Sequence, residues 1–186
     1  MAMPGGPKDY FLRPGATVAE FVFFISSGSD VVDQRDLFEG MVRTAHNQFR
    51  IRRDPNRAFA LDVDRWEQDA PIVTDNPNAE FVRRACNAHS TVVLLSKAVR
   101  PGTREEIEGV LNQNDVQLSV IWMKQPGRVR DKGLRKFLKE NEDKFLYLVT
   151  GPPDSPESIL AMFRIIAAAL ADITHGARRE LFYESR

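Results

Sequence analysis

Apolar runs of strand length alternate along this chain with segments of helical period. The first run, EFVFFIS from Glu20 to Ser26, gives way at SGSD to a stripe of Val31, Phe38, Met41, Val42, Ala45 and Phe49. That spacing is one face of a helix, with Ser29 or Asp30 as its expected N-cap. Four further strands are predicted at FALDVDRW, STVVLLS, QLSVIWM and KFLYLVT, with helices near Ala79–Ala88, Thr103–Leu111, Val129–Glu142 and Ser155–Thr174. The last of these opens on Ser-Pro-Glu-Ser, a helix-start signature.

The strands are mostly apolar throughout, so both of their faces are expected to be covered. Helical crossovers between such strands imply a parallel sheet. The pattern predicts a doubly wound α/β domain with a five-stranded parallel sheet in the flavodoxin-like order 2-1-3-4-5. A loose arm is expected over residues 1–18, one α/β domain over 19–175 and a tail over 176–186.

Composition narrows the function classes. At 186 residues one domain can bury roughly 70% of its unfolded surface without a disulfide or metal staple. Lys plus Arg and Asp plus Glu each total 26, so no net field recruits nucleic acid or an anionic membrane. MKQPGRVRDKGLRK carries six basic residues and reads as a solvated loop and helix face; nucleic acid is not an expected partner. The single Cys86 reads as a buried thiol suited to a reducing compartment. MAMPGGPKDYFLRPG lacks the basic and apolar regions of a signal peptide, and Ile159–Ile173, broken by Arg164 and Asp172, is too short to span a bilayer. The expectation is a cytoplasmic protein with no membrane partner.

Ligands of open parallel sheets bind beyond the carboxyl ends of the strands, beside the point where strand order reverses. Those ends carry Ser26-Ser27-Gly28-Ser29-Asp30, Asp64-Arg65-Trp66-Glu67, Lys97 through Glu106, and Lys124. SSGSD is neither a Walker loop nor GxGxxG, although a small hydroxyl-rich loop opening a helix can offer N–H groups to a phosphate. His46, His89 and His175 have no metal-ligand spacing, and no GxSxG supports a nucleophilic serine, so neither a metal nor a triad is expected. Carboxylate chemistry remains. Glu105, Glu106 and Glu108 cluster where the third strand hands over to a helix predicted from Thr103. First-turn acids are explained by the helix dipole, and a third acid invites a chemical reading. A glutamate in a partly apolar pocket can act at an anomeric carbon, as nucleophile or as the anion opposing an oxocarbenium-like centre.

The succession FVFFISSGSDVVDQRD, LDVDRWEQDAP, NAEFVRRACNAHSTVVLLS, PGTREEIEGVL and LSVIWMK resembles a bacterial TIR-like effector domain family, over about Phe21 to Thr174. Its GTxxE pattern is also similar to that of nucleoside 2-deoxyribosyltransferases, which share the fold. The resemblance implies an N-glycosidic-bond hydrolase, with NAD as substrate and no cofactor, in a defence or signalling setting. It carries alternatives: a deoxyribosyltransferase-like enzyme or a non-catalytic nucleotide-binding module. It implies Glu106 as the catalytic acid, or Glu108 if the pattern is registered on the strand-ending serine. It further implies that Ser26, Ser27, Gly28, Asp30, Trp66, Glu67, Gly102 and Thr103 border the substrate and that Arg35 supports the first loop. Partners implied are a nucleotide and either a second copy of the chain or an activating protein. Gly28 stands where relatives carry proline, and only Lys97 to Pro101 separates the third strand from GTxxE, where many carry a longer loop.

Overall fold

A computed structural model describes residues 17–51, 57–65, 77–97, 99–113, 116–124, 132–141 and 143–183. Strands β1 (Thr17–Ser27), β2 (Arg57–Asp64), β3 (Ser90–Leu95), β4 (Gln117–Met123) and β5 (Leu146–Thr150) alternate with helices α1 (Val32–Ile51), α2 (Pro77–Asn87), α3 (Pro101–Leu111), α4 (Lys132–Asn141) and α5 (Pro156–Tyr183). The strands form one sheet in the order β2-β1-β3-β4-β5, with every neighbouring pair parallel. This is the flavodoxin-like α/β architecture that the apolar runs predict.

Strand side chains alternate between faces, and each face of this sheet has its own core. Phe23, Ile25, Val92, Leu94, Ile121 and Met123 meet Phe38 and Val42 of α1 and Met162, Ile165 and Ile166 of α5. Phe24, Val93, Leu95, Val120 and Trp122 meet Ala85 of α2, Ile107 and Val110 of α3, and Phe137 and Leu138 of α4. Unbroken apolar runs such as Phe23-Phe24-Ile25 are therefore what a two-faced strand requires. The edge strand β5 departs from this rule: Leu146 and Val149 are exposed.

Three local features differ from the sequence expectation or escape it. A 3-10 turn, Ser29–Val31, precedes α1, with Gly28 at its cap position and no side-chain cap; Asp30 instead accepts the backbone N–H of Lys97 at 3.2 Å. Helix α5 continues to Tyr183, into the segment expected as a tail. His46 and His89 act on the backbone. Nδ1 of His46 accepts the N–H of Leu61 at 3.0 Å on the edge strand β2. Nδ1 of His89 accepts the N–H of Val22 at 3.1 Å, and the His89 N–H returns a bond to the Val22 carbonyl at 3.0 Å, extending the β1–β3 ladder by one residue.

Helices α2 and α3 pack closely because Gly109 has no side chain. A Cβ there would lie 2.6 Å from Cγ1 of Val82 and 3.5 Å from Sγ of Cys86. Among the described residues no helix is long and apolar enough to cross a membrane.

Candidate functional site

The strand order reverses between β1 and β3, and their carboxyl ends carry the residues of interest. In register, Ser26 lies beside Val93 and Ser27 beside Leu94. Alternation sends Ser26 to the same side as Phe24, the side covered by α3.

Helix α3 begins at Pro101, two residues before the position the sequence predicts, with Arg100 at its cap and the Arg104 N–H bonded to the Arg100 carbonyl at 2.9 Å. None of the three glutamates falls in its first turn, so the dipole account of them fails, because that effect fades beyond the first turn. Burial separates them instead. Thr103, Glu106, Ile107 and Val110 form the buried stripe of α3 at spacings of three and four, whereas Glu105 and Glu108 are exposed. Glu108 faces Arg104 across one turn, with 3.9 Å between charged atoms.

Glu106 thus occupies a position that an apolar residue would ordinarily take. It is 8% exposed, and the Ser26 hydroxyl donates a hydrogen bond to its Oε2 across 80 residues of sequence. Burial pushes its carboxyl up from the ordinary 4.5 to about 7; the Ser26 bond opposes that shift, and the charge of Glu105 adds to it. Near neutral pH this group exchanges between acid and anion, the property wanted of a catalytic carboxylate.

The loops after β1 and β3 are tied together at the reversal point. Besides the Asp30–Lys97 bond, the Arg100 guanidinium donates to the Ser29 hydroxyl at 2.7 Å. Gly28 makes this crossing possible, since a Cβ there would stand 2.5 Å from Asp30 Oδ1 and 3.2 Å from Arg100 Nε. Its backbone, at φ −83° and ψ 164°, is ordinary extended chain; the glycine provides room, not an unusual dihedral. Gly102 and the buried Thr103 follow on the first turn of α3. The hydroxyls of Ser27 and Ser96 are buried at the ends of β1 and β3 and find no hydrogen-bond partner among the described residues. Orphaned buried hydroxyls are uncommon, and at a strand end they are the groups a ligand would satisfy.

The end of β2 is anchored on both sides. Asp64 binds the Arg84 guanidinium of α2 through two bonds, and Arg65 reaches Asp36 at 2.7 Å and Glu39 at 2.6 Å on α1. Trp66 and Glu67, which follow, lie outside the described residues. Arg35 is fully buried on α1, and the adjacent Gln34 donates to Asp154 at 2.9 Å, joining α1 to the β5–α5 loop.

One residue near the reversal point escaped sequence reasoning. Trp122, at the end of β4, donates its indole N–H to the Ser96 carbonyl at 3.3 Å, and the Lys124 ammonium stands 4.9 Å from the centre of its ring. Within QLSVIWMK it reads as one more apolar strand residue; the signal was its place at a carboxyl end, two residues before a lysine.

No protein-family model and no curated protein matches the chain. Among solved structures, rubredoxin oxygen:oxidoreductase from Desulfovibrio gigas aligns over 85% of this chain and 37% of its own, with 11% identity and a TM-score of 0.46. The flavodiiron core of Flv1 from Synechocystis aligns over 86% of this chain and 37% of its own, with 8% identity and a TM-score of 0.46. The chain spans little more than a third of those structures, and the likeness carries no implication for ligand or chemistry.

Proposed function

We propose that the protein is an N-glycosidic-bond hydrolase acting on NAD, with Glu106 as its catalytic carboxylate. The observation that carries this reading is the burial of Glu106 on the stripe of α3, hydrogen-bonded to Ser26 at the strand-order reversal. An acid in that position costs folding stability, and a chemical role supplies a reason to keep it there.

In this reading the nicotinamide ribose lies over Ser26 and Glu106. The C1′–N bond breaks with its electron pair leaving on nicotinamide, which departs neutral because it is cationic in NAD. The Glu106 anion stabilises the positive charge developing at C1′. Water adds there and loses a proton, giving ADP-ribose. The buried hydroxyls of Ser27 and Ser96 and the cationic Arg100 are suited to the ribose and phosphate portion.

The deciding experiment follows NAD consumption and the release of nicotinamide and ADP-ribose by wild type and Glu106→Gln, at low and high protein concentration. Loss of at least about a hundredfold in rate in the variant is the expected outcome. Turnover of deoxynucleosides without NAD loss would favour the transferase alternative. Binding of NAD without turnover by wild type would leave a sensing module.

A further inference from the structure

Helix α5 is apolar on two sides. Ser158, Ala161, Met162, Ile165, Ile166 and Ala169 are buried on its inner face. On its outer side Ile159, Leu160 and Phe163 are 38%, 49% and 59% exposed. At 100° per residue these three fall within one stripe, which Ala167, also exposed, continues by a further turn. A helix with apolar residues on two sides ordinarily has something packed on each, and a contiguous exposed apolar stripe marks an interaction surface.

The charges beside the stripe indicate what covers it. Glu157 and Arg164, both exposed, are seven residues apart, so they lie on the same flank of the stripe, two turns and roughly 10 Å from each other. When two identical helices pack antiparallel about a twofold axis, residues on one flank meet residues on the same flank of the other copy. With the axis passing between positions 160 and 161, Glu157 of each copy meets Arg164 of the other, twice. The same register sets Phe163 of one copy against Ile159 and Leu160 of the second. An acid and a base placed symmetrically about the large apolar residues Ile159 to Phe163 form a self-complementary pattern, which is the requirement of an isologous interface.

We propose that the outer face of α5 is the dimer interface of this protein, occupied by α5 of a second copy running antiparallel. The pairing is independent of the reading of Glu106 and places the two sites on separate subunits.

Sedimentation equilibrium of the full chain over a wide concentration range tests it. Wild type is expected to form a dimer, and Phe163→Glu to raise the dimer dissociation constant at least a hundredfold while leaving the circular dichroism of the folded chain unchanged. At low salt, Glu157→Arg and Arg164→Glu each weaken the dimer by about fivefold, since exposed pairs are individually modest. The double reversal restores it, a recovery that a merely structural effect on α5 would not produce. A wild type that stays monomeric at all concentrations overturns the proposal, as does a dimer indifferent to Phe163→Glu or a double reversal no better than its single parents.

Discussion

The Ser26 hydroxyl, one residue from the carboxyl end of β1, donates to the carboxylate of Glu106 on the buried face of α3. Among the described residues that bond opposes the upward shift of the carboxyl, whose burial and whose neighbour Glu105 both favour the protonated form. Much of what can be tested follows from this pair.

The stability of the fold should depend on pH through Glu106. Between 4.5 and about 7 the unfolded chain ionises this residue while the native one keeps its proton. Stability is therefore fullest below that window and falls by about 3 kcal/mol as pH rises through it. Glu106→Gln should abolish this part of the decline and be the more stable protein at pH 8. Denaturant unfolding of both at pH 5 and pH 8 measures the effect.

The activity should run in the opposite direction. In the proposed hydrolysis the anion is the working form, so kcat/KM for NAD should climb with pH and reach half its plateau near 7, the value to which burial raises the group. Ser26→Ala removes a bond that favours the anion, so its profile should shift to higher pH as well as fall in height. A profile that falls in height without moving would assign Ser26 to substrate contact alone.

Room at Gly28 should matter more for ligand binding than for folding. In Gly28→Ala the new methyl meets the Asp30 carboxylate, which must turn away from the Lys97 N–H and loosen the crossing of the two loops. Gly28 is buried and Asp30 half-buried, but the Asp30–Lys97 bond that is lost lies at the surface, so the stability change should stay below about 1 kcal/mol. KM for NAD should rise several-fold, read from initial rates.

Gly109 supplies a contrasting case at the half-buried contact between α2 and α3. Alanine there gains up to about 1 kcal/mol of helix propensity, yet its Cβ would stand 2.6 Å from a methyl of Val82, whose χ1 is stiff. The overpacking should prevail, with a net loss of about 1–2 kcal/mol. Val82→Ala combined with Gly109→Ala should recover most of that loss, a coupling that thermal unfolding of the four proteins would reveal.

His46 offers a test of edge protection. His46→Leu leaves the Leu61 N–H on β2 without its acceptor, and leaving a buried or half-buried donor unpaired costs about 1–3 kcal/mol. His46→Asn, which keeps a short acceptor, should recover part of the difference in the same denaturant series.

The sheet was legible because its strands are written as unbroken apolar runs such as Phe23-Phe24-Ile25 and Val92-Val93-Leu94-Leu95, and because buried parallel strands need no polar alternation. Positions set by a single long-range bond were not. Nothing near Asp30 states that its carboxylate will reach Lys97 instead of capping the next helix, and nothing near His46 or His89 states that each will serve a backbone N–H. At the candidate site the GTxxE spacing singled out Glu106 from its neighbours, and α3 buries that residue alone of the three. The early start of α3 escaped because Pro101 reads equally well as a turn residue and as the first position of a helix. Trp122 escaped because a strand of apolar residues hides an aromatic one at its end.

Helix α3 uses one face for two purposes: Ile107 and Val110 fill the space beneath the sheet while Glu106, one residue from Ile107, is held at its rim. A packing defect anywhere along that stripe would tilt the carboxylate away from Ser26 before it unfolded the domain. In a screen of variants, packing changes at α3 would consequently resemble removal of the Glu106 carboxylate itself. Telling them apart requires a readout that follows the proton on Glu106 and not the amount of folded protein.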